Sequence, residues 1–162
     1  GAPGRCQNRG VASPYLAGLL LHGRPVVVVG GGGVAARRVP KLLAAGAVVT
    51  VISPTAHPAV EALAADDAID WVARPFRPGD LAGAWYVIAA TPSPTVNAAV
   101  ASEAEERHTL CVRADAADRG SAWTPATGEH DGLVVGVLGH HDPRRSRRVR
   151  DRIIAVLDDE EL

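Results

Sequence analysis

Residues 26–38 read VVVVGGGGVAARR. Four consecutive valines, Val26 to Val29, show no polar alternation, which is the pattern of a strand buried on both faces of a parallel sheet. Four glycines, Gly30 to Gly33, follow at once, and Val34-Ala35-Ala36-Arg37-Arg38 opens a helical pattern. Strand, glycine turn and helix form the setting in which a G-x-G-x-x-G/A spacing has physical meaning. Here the spacing falls on Gly30, Gly32 and Ala35. Gly30 is expected to make the tight turn, Gly32 to let a pyrophosphate approach the backbone, and Ala35 to keep the helix close to the sheet. Free N–H groups at the helix start, with the helix dipole, would then hold phosphates. The competing reading is a glycine-rich turn without a ligand.

The pattern continues as alternating strands and helices. The first helix should run to about Ala45 and stop at Gly46, with Pro40 kinking it. Residues 48–53 (VVTVIS) read as a second strand, and residues 59–65 as a short helix. Residues 70–73 are a weaker strand, and residues 78–81 a single helical turn. Residues 85–90 (WYVIAA) are a strong strand, followed by a helix from Pro94 to about His108 with Ser93 as its cap. Residues 109–114 give a fifth strand, ending at Asp115. Beyond this the chain changes character. Pro125 restricts residues 123–127 to a short or edge strand. Residues 129–132 (EHDG) read as a hairpin turn, residues 133–138 as its second strand, and residues 143–157 as a helix. Val149, Ile153, Val156 and Leu157 fall on one face of that helix. The expected fold class is therefore α/β. A Rossmann-type parallel sheet occupies residues 14–117, and a small β-hairpin plus helix occupies residues 118–162. Residues 1–13 are expected to be a poorly ordered tail.

Composition bounds the function. The chain has 162 residues, 47% apolar and 22% charged, as in ordinary globular domains. A formal net charge of −1 selects neither nucleic acid nor an anionic membrane surface. No stretch approaches the roughly 18 apolar residues of a membrane span. Two cysteines, Cys6 and Cys111, make neither a disulfide framework nor a metal cluster, and with no signal-peptide pattern the reading expects the cytoplasm.

One feature departs from ordinary dinucleotide sites. A carboxylate is expected about 20 residues past the glycines to hold the ribose 2′-hydroxyl, yet residues 48–58 contain none, and no Lys or Arg either. The ribose would fall to backbone and to Ser53 or Thr55. With that departure, VVVVGGGGVAARRVPKLLAAGAVVTVISP, then AWYVIAATPSPTVNAAV, then LCVRAD resembles the N-terminal module of siroheme synthases. These are precorrin-2 dehydrogenases, some of which also act as sirohydrochlorin ferrochelatases. The resemblance covers about residues 15–157.

The resemblance implies NAD⁺ as cofactor, touched at Gly33 and Val34, at Pro54 and Thr55, and around Thr91. It implies a homodimer through the hairpin and last helix, with the family's helical domain largely absent from these residues. It places Asp115 at the family's catalytic carboxylate, where it would accept or relay the proton lost as a hydride leaves precorrin-2. The plainer reading makes Asp115 a strand end. The substrate carries eight carboxylates, and the densest basic stretch is Arg144, Arg145, Arg147, Arg148, Arg150 and Arg152. Arg144, Arg145 and Arg147 crowd a helix N-terminus, where bound carboxylates would relieve repulsion with the dipole. A solvated helix face is the alternative. Arg113 alternates with Cys111 and could face the crevice. Cys111 reads as core, and His140-His141 as solvated loop residues rather than metal ligands. Relatives often have Asn where Val112 stands, and a Ser/Thr- and Gly-rich segment where Leu138-Gly139-His140-His141-Asp142 stands. Two further readings remain open on sequence: a chelatase with little dehydrogenase activity, and a non-catalytic NAD-binding or sensing module.

Overall fold

The valine run forms β1, Pro25–Val29, at the centre of a five-stranded parallel sheet. The computed structural model describes residues 13–139 and 142–159. The expected tail, with Cys6, lies outside the described residues apart from Ser13, and so do His140 and His141. The other strands are β2 (Val48–Ile52), β3 (Asp70–Val72), β4 (Tyr86–Ala89) and β5 (Leu110–Arg113). They line up in the order β3-β2-β1-β4-β5. Val26 pairs with Val49 on one side and with Tyr86 on the other.

Alternate valines serve opposite faces, which is why the run shows no polar alternation. Val26 and Val28 pack with Ala35, Val39, Val51 and Val60 under helices α1 (Gly33–Ala44) and α2 (Pro58–Ala65). Val27 and Val29 pack with Val87, Val100 and Ala104 under α3 (Pro94–Glu106). Each buried valine contributes about 1.5–3 kcal/mol relative to exposure. The helix ends follow local chemistry. Ser93 Oγ accepts from the Val96 amide at 3.3 Å, with Pro94 in the first turn. His57 caps α2 through Nδ1, which accepts from the Ala59 amide at 3.1 Å. Helix α1 continues through Pro40 to Ala44, and Gly46 follows at φ +76°.

The remaining residues form a hairpin and a helix. Strands β6 (Ala126–His130) and β7 (Leu133–Val137) are antiparallel, joined by Asp131 at φ 42° and Gly132 at φ 78°. These angles belong to a two-residue type I′ turn. The strand therefore begins after Pro125, not at residue 123, and the turn is centred one residue later than residues 129–132 imply. Proline has no N–H for the ladder, which sets the start.

Helix α4 (Pro143–Asp159) lies on this hairpin. An added Cβ on Gly128 would meet Arg150 Cδ at 2.8 Å and Ile154 Cγ1 at 2.9 Å, so glycine admits the helix there. The inward stripe is Ser146, Arg150, Ile154 and Leu157. Arg150 covers the strand with its stem and donates to the Thr127 carbonyl. The expected apolar face is thus mostly outward: Val149, Ile153 and Val156 are 39%, 38% and 54% exposed. No helix among the described residues is long and apolar enough to cross a membrane.

Candidate functional site

The loops that follow β1, β2, β4 and β5 share the carboxyl end of the sheet, where open α/β folds place ligands. The chain order reverses between β1 and β4, so the loops after these two strands flank the switch point.

Gly30, at φ +114°, donates to the Ile52 carbonyl at 2.9 Å. An added Cβ there would lie 2.3 Å from the Ala90 carbonyl oxygen. Gly31 accepts from the His57 amide at 2.7 Å, and a Cβ on it would lie 2.4 Å from the Thr55 carbonyl oxygen. These two glycines let three loops close on one another. Gly32 and Gly33 differ. Both are exposed, nothing stands within 4 Å of a Cβ on Gly32, and the nearest atom to one on Gly33 is Arg37 Nη1 at 3.7 Å.

Gly32 is the N-cap of α1 without a side-chain cap, and the first turn holds no acid. The first intrahelical bond runs from the Ala36 amide to the Gly32 carbonyl, at 3.0 Å. The amides of Gly33, Val34 and Ala35 therefore have no acceptor within the helix. An open space that a side chain would fill, free amide donors and a positive helix end together fit a pyrophosphate. Ala35 is fully buried against the sheet, as its spacing implied. Pro54 and Thr55 are exposed at the end of β2, beside Gly31. The Ser53 carbonyl there accepts from Trp71 Nε1 at 3.0 Å.

Past β4, Thr91 is tied inward. Its amide and hydroxyl donate to Asn97 Oδ1 at 3.0 and 2.7 Å, and its carbonyl accepts from Asn97 Nδ2 at 3.0 Å. Asn97 is fully buried. It is a residue the sequence reading did not single out. The available signal was an amide on the same α3 stripe as Val100 and Ala104, where an apolar residue is expected.

Past β5, Arg113 and Asp115 face each other. Arg113 Nε donates to Asp115 Oδ1 at 3.1 Å and Nη2 to Oδ2 at 2.7 Å, a fork on both oxygens. Nη2 also reaches the Pro94 carbonyl at 3.4 Å. Arg113 is only 5% exposed, while the Asp115 residue is open to solvent. The Arg113 guanidinium holds the Asp115 carboxyl below the usual carboxylate range, with partial burial opposing it and the Asn97 amide adding to it. Asp115 is thus a persistent anion at neutral pH. Burial pushes the Cys111 thiol up to about 11, so it stays protonated within the core.

The chain therefore gathers Gly30, Gly32, Gly33, Val34, Pro54, Thr55, Thr91, Arg113 and Asp115 on the loops at one end of the sheet. Arg144, Arg145 and Arg147 are placed elsewhere, exposed in the first turns of α4 on the hairpin. A second cavity, of about 930 Å³, lies at the opposite ends of the strands, between residues 14–19, Tyr86, Leu110, Trp123 and Val134. Its lining is mainly apolar. Among the described residues no group of three or more His, Cys, Asp or Glu side chains converges as a metal site.

A family model for NAD(P)-binding domains matches residues 18–126. Siroheme synthase 1 of Aeromonas salmonicida is 38% identical over 117 residues, which are 72% of this chain and 25% of that protein. The siroheme synthase of Methylobacillus flagellatus is 40% identical over 138 residues, 85% of this chain and 30% of that protein. This chain thus spans about a quarter to a third of the length of these relatives. Among solved structures, SirC, a precorrin-2 dehydrogenase, superposes with a TM-score of 0.77 at 25% identity, over 88% of this chain and 71% of that one.

Proposed function

Since this chain belongs to the NAD(P)-binding family of siroheme synthase N-terminal modules, we propose that it oxidises precorrin-2 to sirohydrochlorin with NAD⁺. The observation that carries this reading is the placement of an open, uncapped helix start, at Gly32 and Gly33, on the same end of the sheet as the anionic Asp115. Bound NAD⁺ supplies the hydride acceptor. The reaction removes a hydride and a proton from the macrocycle, giving sirohydrochlorin, NADH and a proton. The Gly33, Val34 and Ala35 amides hold the pyrophosphate, and Pro54, Thr55 and Thr91 line the cofactor. Every polar group of Thr91 already has a partner, so its contact with cofactor is chiefly one of shape.

Asp115 is the catalytic carboxylate. The exposed guanidiniums of Arg144, Arg145 and Arg147, which lie on the hairpin's helix and not on the loops of the sheet, would meet substrate carboxylates from the second copy of a dimer. The protein works in the cytoplasm. Residues 14–117 form the cofactor domain and residues 118–162 the dimerisation domain.

Two expectations follow from this assignment. No Lys or Arg lies in residues 48–58, and His57 Nδ1 is engaged at the start of α2. An adenosine 2′-phosphate would therefore lose water without gaining a cation, and NAD⁺ binds more tightly than NADP⁺ by about tenfold or more. Calorimetric titration with both dinucleotides checks this, and tighter NADP⁺ binding contradicts it.

The second concerns assembly. Val149, Ile153 and Val156 leave an apolar face on α4, and Val134 on β7 is 71% exposed beside an apolar cavity. A lone hairpin with one helix buries too little to leave such surfaces wet. A homodimer through residues beyond about 117 covers them. Sedimentation at micromolar concentration is expected to give twice the 16.8 kDa chain mass, and a monomer contradicts the assignment.

NADH formation from precorrin-2 and NAD⁺ under anaerobic conditions tests the reaction itself. Metal insertion into supplied sirohydrochlorin without NADH formation would mark a chelatase instead. NAD⁺ binding with neither activity would mark a sensing module.

A further inference from the structure

Asp115 is open on one side and gripped on the other. Both oxygens accept from one guanidinium, and that guanidinium, 5% exposed, also reaches the Pro94 carbonyl. Its Nε and Nη2 are already committed to Asp115 and Pro94, and its burial leaves little of it for a substrate carboxylate. A carboxylate so engaged has one orientation and one charge. We infer that Arg113 is a positioning residue, which fixes Asp115 as a permanent, oriented anion beside the reacting carbon instead of leaving it as a titrating base. This rests on the proposed dehydrogenation.

The chemistry agrees with an anion. Departure of a hydride takes two electrons to NAD⁺ and leaves positive charge on the macrocycle. A fixed negative charge, already oriented, stabilises that cation without rearranging. The proton is then lost to water. A carboxylate paired with arginine is a weak proton acceptor, so the pair favours electrostatic stabilisation over general-base catalysis. Among the described residues, the groups around the pair are few. Strand β5 offers Cys111, whose thiol is protonated, and the short turn Ala117–Arg119 offers Asp118, which acts on Arg113. Helix α3 offers the Asn97 amide and the Pro94 carbonyl, and neither titrates.

The test is a carbon-detected NMR titration of the Asp115 carboxyl in the substrate-free protein, alongside kinetics. Wild type should titrate below the ordinary value of about 3.9. Arg113→Gln should raise that midpoint to the ordinary range or above, and carry the acid limb of kcat/KM upward with it. Its kcat should fall by about tenfold or more while NAD⁺ affinity stays within about threefold. Arg113→Lys keeps the charge, loses the fork, and should fall between the two. In an Asp115→Asn background, Arg113→Gln should cost little further activity, because both act through one carboxylate.

Should Arg113→Gln fail to fold, the lysine variant decides by the same readouts. An unmoved Asp115 midpoint with unchanged kcat, in a chain whose wild type makes NADH, overturns the positioning role alone. Absence of NADH from wild type overturns the dehydrogenase reading on which it rests, whatever the titration shows.

Discussion

Asp115→Asn is expected to lower NADH formation from precorrin-2 by about 10²–10⁴-fold, the range for one positioned acid–base or charge-stabilising group, while NAD⁺ binds as before. The substitution keeps the side-chain shape and leaves one oxygen for the Arg113 fork, so the guanidinium is not stranded. It removes the negative charge that the proposed reaction needs beside the substrate. Cofactor binding should be spared, because the proposed cradle is the open helix start at Gly32, Gly33 and the first turn of α1, not this carboxylate. Steady-state NADH formation at saturating NAD⁺ reads the loss directly. Turnover within about threefold of wild type would return Asp115 to the role of a strand end.

Gly32→Asp should abolish NAD⁺ binding, raising Kd by about 10²-fold or more, in a protein that remains folded. Fold and function separate here because the glycines are not equivalent. Gly30 and Gly31 stand where a Cβ would lie 2.3 and 2.4 Å from backbone oxygens, so substitution at either disturbs the loops themselves. Gly32 has ordinary backbone angles, φ −83° and ψ −158°, and open space around a Cβ. Aspartate is an acceptable helix N-cap and would engage the free amides at the start of α1. That engagement, with its negative charge, takes the place the pyrophosphate needs, and like charges brought together cost several kcal/mol. Calorimetry with NAD⁺ and thermal unfolding, read together, test it. Unchanged affinity with an unchanged melting temperature would mean that phosphates do not bind at this loop.

The sheet was legible because its strands are short, apolar and separated by explicit stop signals. Val26 to Val29 run without interruption because both faces are covered, and Gly46, Ser93 and Pro94 mark helix ends by their own local chemistry. The hairpin was less legible. Glu129 and His130 read as turn residues, yet the ladder carries them into β6, because only Asp131 and Gly132 supply the positive φ that the turn requires. On α4, periodicity identified an apolar face but not which face packs inward. Gly128 removes the side chain that would block the helix, and Arg150 fills that place with its stem.

At the candidate site, the placement of Gly32, Gly33 and Asp115 at the carboxyl end of the sheet was legible from spacing and resemblance. The fork between Arg113 and Asp115 was not, because alternation along a strand gives the side of the sheet and not the partner. Asn97 was hidden for a related reason. Its role lies in bonds to Thr91, six residues away across a turn, and no periodic pattern records them.

The most direct measurement is the stoichiometry of the reaction itself. Purified chain, precorrin-2 and excess NAD⁺ are mixed without oxygen, and NADH and sirohydrochlorin are followed together by absorbance. The account predicts one NADH for each precorrin-2 consumed, with sirohydrochlorin appearing at the same rate. Sirohydrochlorin that forms without NADH, or NAD⁺ that binds while precorrin-2 stays unchanged, would contradict it.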